Sequence, residues 1–182
     1  MAKIITLTGD LGSGKSTVSA LLCARLGYNY IYTGSIQREI AARYRMTTLE
    51  LNQYAETHPE IDEEIDSTFR LLGNSFDLVV DSRLAWYFIP NSFKVFMQTD
   101  LSVSAARIFA DTKRKGEQKY KSTEEVAQHI AARKASENKR YADLYGVNCA
   151  NLSQFDFVID TSTISPEETA NQIIGKYKAW LK

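Results

Sequence analysis

Cys23 and Cys149 are the only thiols in this 182-residue chain. Neither belongs to a Cys-x-x-Cys pair, which argues against a disulfide framework or a structural zinc site. Histidine is as scarce, and His58 and His129 both stand in polar, helical surroundings. They read as solvated side chains, so imidazole-centred catalysis is not expected. The formal net charge is zero, and the chain has no basic surface interleaved with aromatic stacking platforms. Nucleic acid is therefore not an expected partner. No apolar run approaches the ~20 residues of a membrane span. The chain runs from its first residues into an apolar strand pattern, so neither a membrane nor a secretory signal is expected. A reducing cytoplasm fits the cysteine usage.

A hydrophobic fraction of 44% and a charged fraction of 24% suit a soluble globular protein. The length suits one domain over 1–182. The most specific local signal is Gly9-Asp10-Leu11-Gly12-Ser13-Gly14-Lys15-Ser16-Thr17. It fits G-x-x-x-x-G-K-[ST], the Walker A phosphate-binding loop. The β-branched run Ile4-Ile5-Thr6-Leu7-Thr8 precedes it as a strand. Val18, Leu21, Leu22 and Leu26 follow at helical spacing, closed by Gly27. In that context, backbone N–H groups and the helix N-terminus cradle phosphate. Lys15 would reach the β- and γ-phosphates of a nucleotide, and the Ser16 hydroxyl would ligate Mg²⁺.

Short apolar strands alternate with longer helical patterns, the signature of a parallel α/β sheet. Strands are expected at 3–8, 28–32, 77–81, 93–98 and 155–160. Helix starts are expected at Asp100, at the Ser122/Glu125 capping box and at Ser165-Pro166-Glu167-Glu168, with Gly146 as a stop for the long helix from 123. The stretch 35–75 reads as a largely helical insertion laid over one side of the sheet. Charge is uneven: acids crowd 56–66, and Arg107, Lys113, Arg114, Lys115, Lys119 and Lys121 crowd 107–121. The basic run is a candidate for phosphate contacts. The aromatic run Trp86-Tyr87-Phe88-Ile89 reads as packing between insertion and sheet, with a contact surface as the other possibility.

In open α/β sheets, ligands gather outside the carboxyl ends of the strands. The second strand ends in Thr33-Gly34-Ser35 with Arg38 behind it, the third in Asp81-Ser82-Arg83, and the last in Asp160-Thr161. Two arginines and two aspartates thus leave the sheet on the edge that carries the phosphate loop. Asp81 reads either as an acid beside Mg²⁺ or as a structural acceptor. Arg133, Glu137 and Arg140 share one face of the long helix. They form either a solvated salt-bridged face or a lid whose arginines meet phosphate.

Taken together, these segments make the chain resemble the nucleoside monophosphate kinases, most closely the short, archaeal-type cytidylate kinases. The likeness rests on Gly9 to Thr17, Tyr32 to Glu39, Asp81 to Trp86, Arg133 to Tyr141 and Phe155 to Thr161, and spans nearly the whole length. It implies a P-loop NTPase fold, a three-layer α/β/α domain on a five-stranded parallel sheet of order 2-3-1-4-5. A monophosphate-binding insertion would occupy 35–75 and a lid region 107–145. It implies a monomer that phosphorylates CMP or dCMP with ATP·Mg²⁺. Arg38 and Arg83 would hold the acceptor phosphate. Arg133 and Arg140 would come down on the transferring group, with Arg107 near the ATP side. Ser35, Gln37 and Asp160 are candidates for reading the base, and Ser16 and Asp81 for the metal. The chain departs from the family pattern at Ser35, Gln37, Ser82 and Trp86, all near the acceptor side. Two other readings stay open: a P-loop kinase of a small-molecule hydroxyl, in which Asp81 is the base, and an ATP-binding regulatory module with little turnover.

Overall fold

The computed structural model describes residues 3–72, 77–111 and 120–182. Phe76 and the basic residues Lys113, Arg114, Lys115 and Lys119 lie outside them. Five parallel strands form one sheet: β1 (Ile4–Gly9), β2 (Asn29–Tyr32), β3 (Leu78–Asp81), β4 (Phe93–Gln98) and β5 (Phe157–Asp160), in the order β2-β3-β1-β4-β5. Each expected strand is present, and the order is the one the resemblance implied. The helices are α1 (Lys15–Leu26), α2 (Thr33–Arg43), α3 (Thr48–Ala55), α4 (Glu60–Leu72), α5 (Ala85–Phe88), α6 (Leu101–Ala110), α7 (Thr123–Tyr145) and α8 (Pro166–Trp180).

Alternate residues of the central strands feed opposite faces. On one face Ile5, Leu7, Val79, Val95 and Met97 pack against Val18 and Leu22 of α1 and Ile173 and Tyr177 of α8. On the other, Ile4, Leu78 and Val80 meet Phe69, Ala85 and Ile89. Helices on both faces account for the near-continuous apolar runs of β1 and β3. The aromatic run packs between insertion and sheet only in part: Tyr87 is exposed, and Trp86 packs with Tyr141 and Val147. Trp86 and Ile89 are buried, and the Phe88 ring lies 5.6 Å from Phe69.

Local chemistry sets the helix ends. The Asp100, Ser122 and Ser165 side chains accept from Ser102 N, Glu125 N and Glu168 N, and Gly27 and Gly146 close α1 and α7 in the left-handed region. At Ser122 the box is half formed, because the Glu125 carboxylate accepts from Lys121 N instead. Gly9, with φ 138°, is the tightest backbone approach. A Cβ there would stand 2.1 Å from the Met97 carbonyl oxygen of the neighbouring strand.

Between β2 and β3, α2, α3 and α4 gather around a small core of their own that includes Ile40, Leu51 and Ile61. Helix α7 joins this group through polar contacts. Arg140 Nε lies 2.5 Å from Asp62 Oδ2, both side chains buried, and its Nη1 donates to Asn52 O at 3.0 Å. Ser136 Oγ and Lys139 Nζ reach Glu56 at 2.7 and 2.9 Å. Removing one partner of a buried ion pair strands the other charge, at a cost of about 3–5 kcal/mol. Asp62→Ala is therefore expected to lower stability by about that amount. A drop in the urea midpoint at unchanged slope is the expected reading, and a midpoint equal to wild type would contradict it.

Candidate active site

The phosphate loop is a turn that glycine makes possible. Gly12 and Gly14 have φ of 78° and 85°, where a Cβ is strained. Ser13 is buried and anchored, its N–H and hydroxyl both donating to the Asp10 carbonyl. Thr161 Oγ1, from the end of β5, donates to Ser13 O at 3.1 Å. Helix α1 then starts at Gly14 with no side-chain cap and no acidic residue in its first turn. Helices α3, α7 and α8 each carry glutamate there. The positive end of the α1 dipole is thus left to an anion. Lys15 Nζ curls back over the loop, 2.7 Å from Asp10 O and 3.1 Å from Gly9 O.

This loop floors a cleft of about 710 Å³, a size that suits a nucleotide-scale ligand. Arg107 enters from α6, donating to Gly12 O at 3.3 Å and Thr161 O at 2.8 Å. Arg38 lines the cleft from α2, Arg83 from just beyond β3, and Arg133 from α7. Arg38 Nη1 donates to Tyr32 Oη at 2.9 Å, with its guanidinium 5.0 Å over the Tyr32 ring. Arg133 Nη2 donates to Gln37 Oε1 at 2.8 Å.

Glu137 joins two of these arginines. Its carboxylate lies 2.9 Å from Arg83 Nε and 3.0 Å from Arg133 Nε, and its side chain is only 5% exposed. Burial pushes its ionisation up, but Arg83 and Arg133 outweigh burial and hold it below its ordinary value of 4.5. Arg83 Nη1 also donates to the Gly9 carbonyl. Lys134 Nζ reaches Asp10 Oδ1 at 2.8 Å, tying α7 to the loop.

Asp81 ends β3, 2% exposed, against the cleft beside the loop. Burial pushes its carboxyl up, opposed by the charges of Lys15 and Arg83. A carboxylate so short of water is served by a cation, and the Ser16 hydroxyl stands close enough to favour its charged form. Both are hard oxygen donors, the set that Mg²⁺ takes alongside water and phosphate. The residues fit that ion.

Three candidate residues stand apart from the cleft. Arg140 is turned into the seam with Asp62 and Asn52. The spacing that placed it on the Arg133 face is right, but α3 and α4 draw it into the protein. Asp160 ends β5, at the sheet edge opposite β2, and its carboxylate accepts from Ser162 N and Oγ. Sheet order keeps it from Arg38. Ser35 is exposed and donates to Tyr32 O at 2.7 Å, fastening the start of α2. Sequence reasoning gave no individual role to Tyr30, Tyr32, Lys134 or Thr161, although the last three fall within the segments that carry the resemblance. It saw Glu137 only as a helix-face partner, because its reach to Arg83 spans 54 positions and has no local sign.

A model of the cytidylate kinase-like family matches residues 4–163. A cytidylate kinase of Pyrococcus abyssi is 36% identical over 165 residues, covering 90% of this chain and 87% of that one. A cytidylate kinase of Thermoplasma volcanium is 34% identical over 177 residues, covering 94% and 90%. In three dimensions the chain is similar to a shikimate kinase from Bacteroides thetaiotaomicron, with a TM-score of 0.66 at 15% identity over 97% of this chain and 98% of that one. That likeness speaks for the fold alone.

Because the folded-state pKa of Glu137 is depressed, its charge contributes stability above pH 4.5. That contribution is lost as pH falls through the depressed value. Glu137→Gln is expected to be less stable than wild type near neutrality, with the gap closing in acid. Thermal unfolding of both proteins from about pH 7 to 3 reads this directly. A gap of constant size across that range would contradict it.

Proposed function

This chain belongs to the cytidylate kinase-like family, and we propose that it transfers the γ-phosphoryl group of ATP to the phosphate of CMP or dCMP, giving ADP and the nucleoside diphosphate. One observation carries the reading. Lys15 and Arg83 both reach the Gly9 carbonyl at the phosphate loop, and Arg38 from α2, Arg107 from α6 and Arg133 from α7 line the same cleft. A cleft lined by this many cations around one phosphate loop suits two phosphate-bearing ligands meeting head to head.

Phosphoryl transfer of this kind needs positioning and charge neutralisation more than covalent help. A monophosphate, with a second pKa of ~6, is already largely ionised at neutral pH. It needs no strong base, which accords with a cleft lined by arginine and not by histidine. Lys15 and the N-terminus of α1 bind the donor phosphates. Arg38 and Arg83 orient the acceptor, and Arg133 is placed to meet charge between them. Bound through Ser16 and Asp81, Mg²⁺ would neutralise the donor phosphates. Helices α2–α4 would form the acceptor side of the domain, and α7 the lid that excludes water.

In a coupled assay with ATP, turnover is expected with CMP and dCMP ahead of AMP. Arg38→Ala is expected to raise the KM for CMP about 10- to 100-fold, since losing a hydrogen bond to a charged group costs about 1.5–3 kcal/mol. Its KM for ATP should change little. Lys15→Ala is expected to lower kcat about 10²- to 10³-fold, as losing one preorganised donor does. Turnover of an alcohol acceptor with none of any monophosphate would overturn the proposal. ATP binding without turnover of either would favour a regulatory module.

A further inference from the structure

Along β2, two tyrosines, Tyr32 lining the cleft and Tyr30 beside it, link the groups assigned to the metal with one assigned to the acceptor. Tyr30 and Tyr32 alternate along β2, their rings stacked 6.1 Å apart at 8°. Tyr32 takes the Arg38 hydrogen bond and carries its guanidinium. Tyr30 Oη donates to Asp81 Oδ2 at 3.3 Å. The Tyr30 phenol from β2 thus meets the Asp81 carboxylate from β3, which lines the cleft together with Ser16 at the start of α1.

We propose that Tyr30 is a positioning residue for the divalent cation: its hydroxyl holds the Asp81 carboxylate turned toward Ser16, in the orientation from which both serve the metal. The assignment rests on the reading of Ser16 and Asp81 given above. A terminal carboxylate turns about its last bond, and in a buried site its orientation must be held by a donor. A donor on Oδ2 leaves Oδ1 for a cation or its water. The contact is long for an O–H···O bond, so it guides the carboxylate without competing strongly for its charge. Stacking on Tyr32 fixes the ring, and with it the direction of the hydroxyl. Hydrogen bonds to a metal's carboxylate ligands commonly control affinity in this way.

Tyr30→Phe deletes the donor and keeps the stack. The test compares the Kd of a nonhydrolysable ATP analogue, by calorimetry, with Mg²⁺ and with a chelator. Wild type is expected to bind more tightly with Mg²⁺. In Tyr30→Phe that enhancement should shrink about tenfold, the lower end of such effects, with metal-free Kd and thermal midpoint unchanged. The Mg²⁺ needed for half-maximal CMP turnover should rise in step, at an unchanged KM for CMP. An equal Mg²⁺ enhancement in both proteins, or none in wild type, would overturn the assignment, as would a fall in metal-free affinity alone. A reduced enhancement in protein that turns over no monophosphate would uphold it while removing the CMP proposal.

Discussion

The ion pair that organises this molecule is the carboxylate of Glu137 held between Arg83 and Arg133. Arg83 is fixed to the end of a central strand and Arg133 to the long helix, so the contact sets how the helix lies across the mouth of the cleft. Two guanidinium groups converging out of water repel one another, and in a weakly screened site that repulsion is large. A carboxylate between them turns a repulsive arrangement into a stable one. Its burial is a cost that only good geometry recovers, and here both contacts are close. Arg83 also donates to the carbonyl of Gly9, so the same residue ties the phosphate loop to the helix.

The rest of the helix seam follows the same logic. Arg140 with Asp62, Ser136 and Lys139 with Glu56, and Lys134 with Asp10 all join α7 to neighbours through charge or hydrogen bonds. The apolar packing of this helix is concentrated near its two ends. Val126 and Ile130 meet Ala105 and Ile108 of α6, and Tyr141 meets Leu84 and Trp86. Between these clusters, where the helix crosses the cleft, the contacts are polar. Water and phosphate can replace polar contacts at modest net cost, because exchanging one hydrogen bond for another nearly balances. An apolar seam would resist the same exchange. A helix anchored by apolar ends and joined by polar groups over the cleft is suited to admit charged ligands.

The fold was legible in the sequence because its signals are local. Strand runs, the glycines of the phosphate loop and the caps at Asp100, Ser122 and Ser165 each act within a few residues. The donor end of the cleft was legible for the same reason, since loop and helix are contiguous from Gly9 to Thr17. The acceptor end depends on contacts between distant segments. Spacing put Arg140 on the face of Arg133, but nothing near it in sequence told of Asp62, 78 positions earlier, which draws it inward. Asp160 leaves its strand on the expected edge of the sheet, yet the strand order carries it away from Arg38. Tyr30 and Tyr32 had a local signature, two aromatics at strand spacing. Their meaning came only when β3 brought Asp81 alongside.

Charge distribution explains why the same architecture suits a phosphate acceptor better than an alcohol. An alcohol must lose a proton as it attacks, so its site needs an accessible carboxylate aimed at the hydroxyl. Of the carboxylates near this cleft, Asp10 is held by Thr99 N and Lys134 and Glu137 by two arginines, while Asp81 takes the Tyr30 hydroxyl on one oxygen. The lining of the open volume is predominantly cationic, with Lys15, Arg38, Arg83, Arg107 and Arg133 against Asp81 and Asp111. A second phosphate brings the negative charge such a wall needs and comes already ionised. Arginine, with a planar fork and a charge it never loses, holds that phosphate in one orientation. The arginines that line the cleft with the phosphate loop are therefore matched to a second anion.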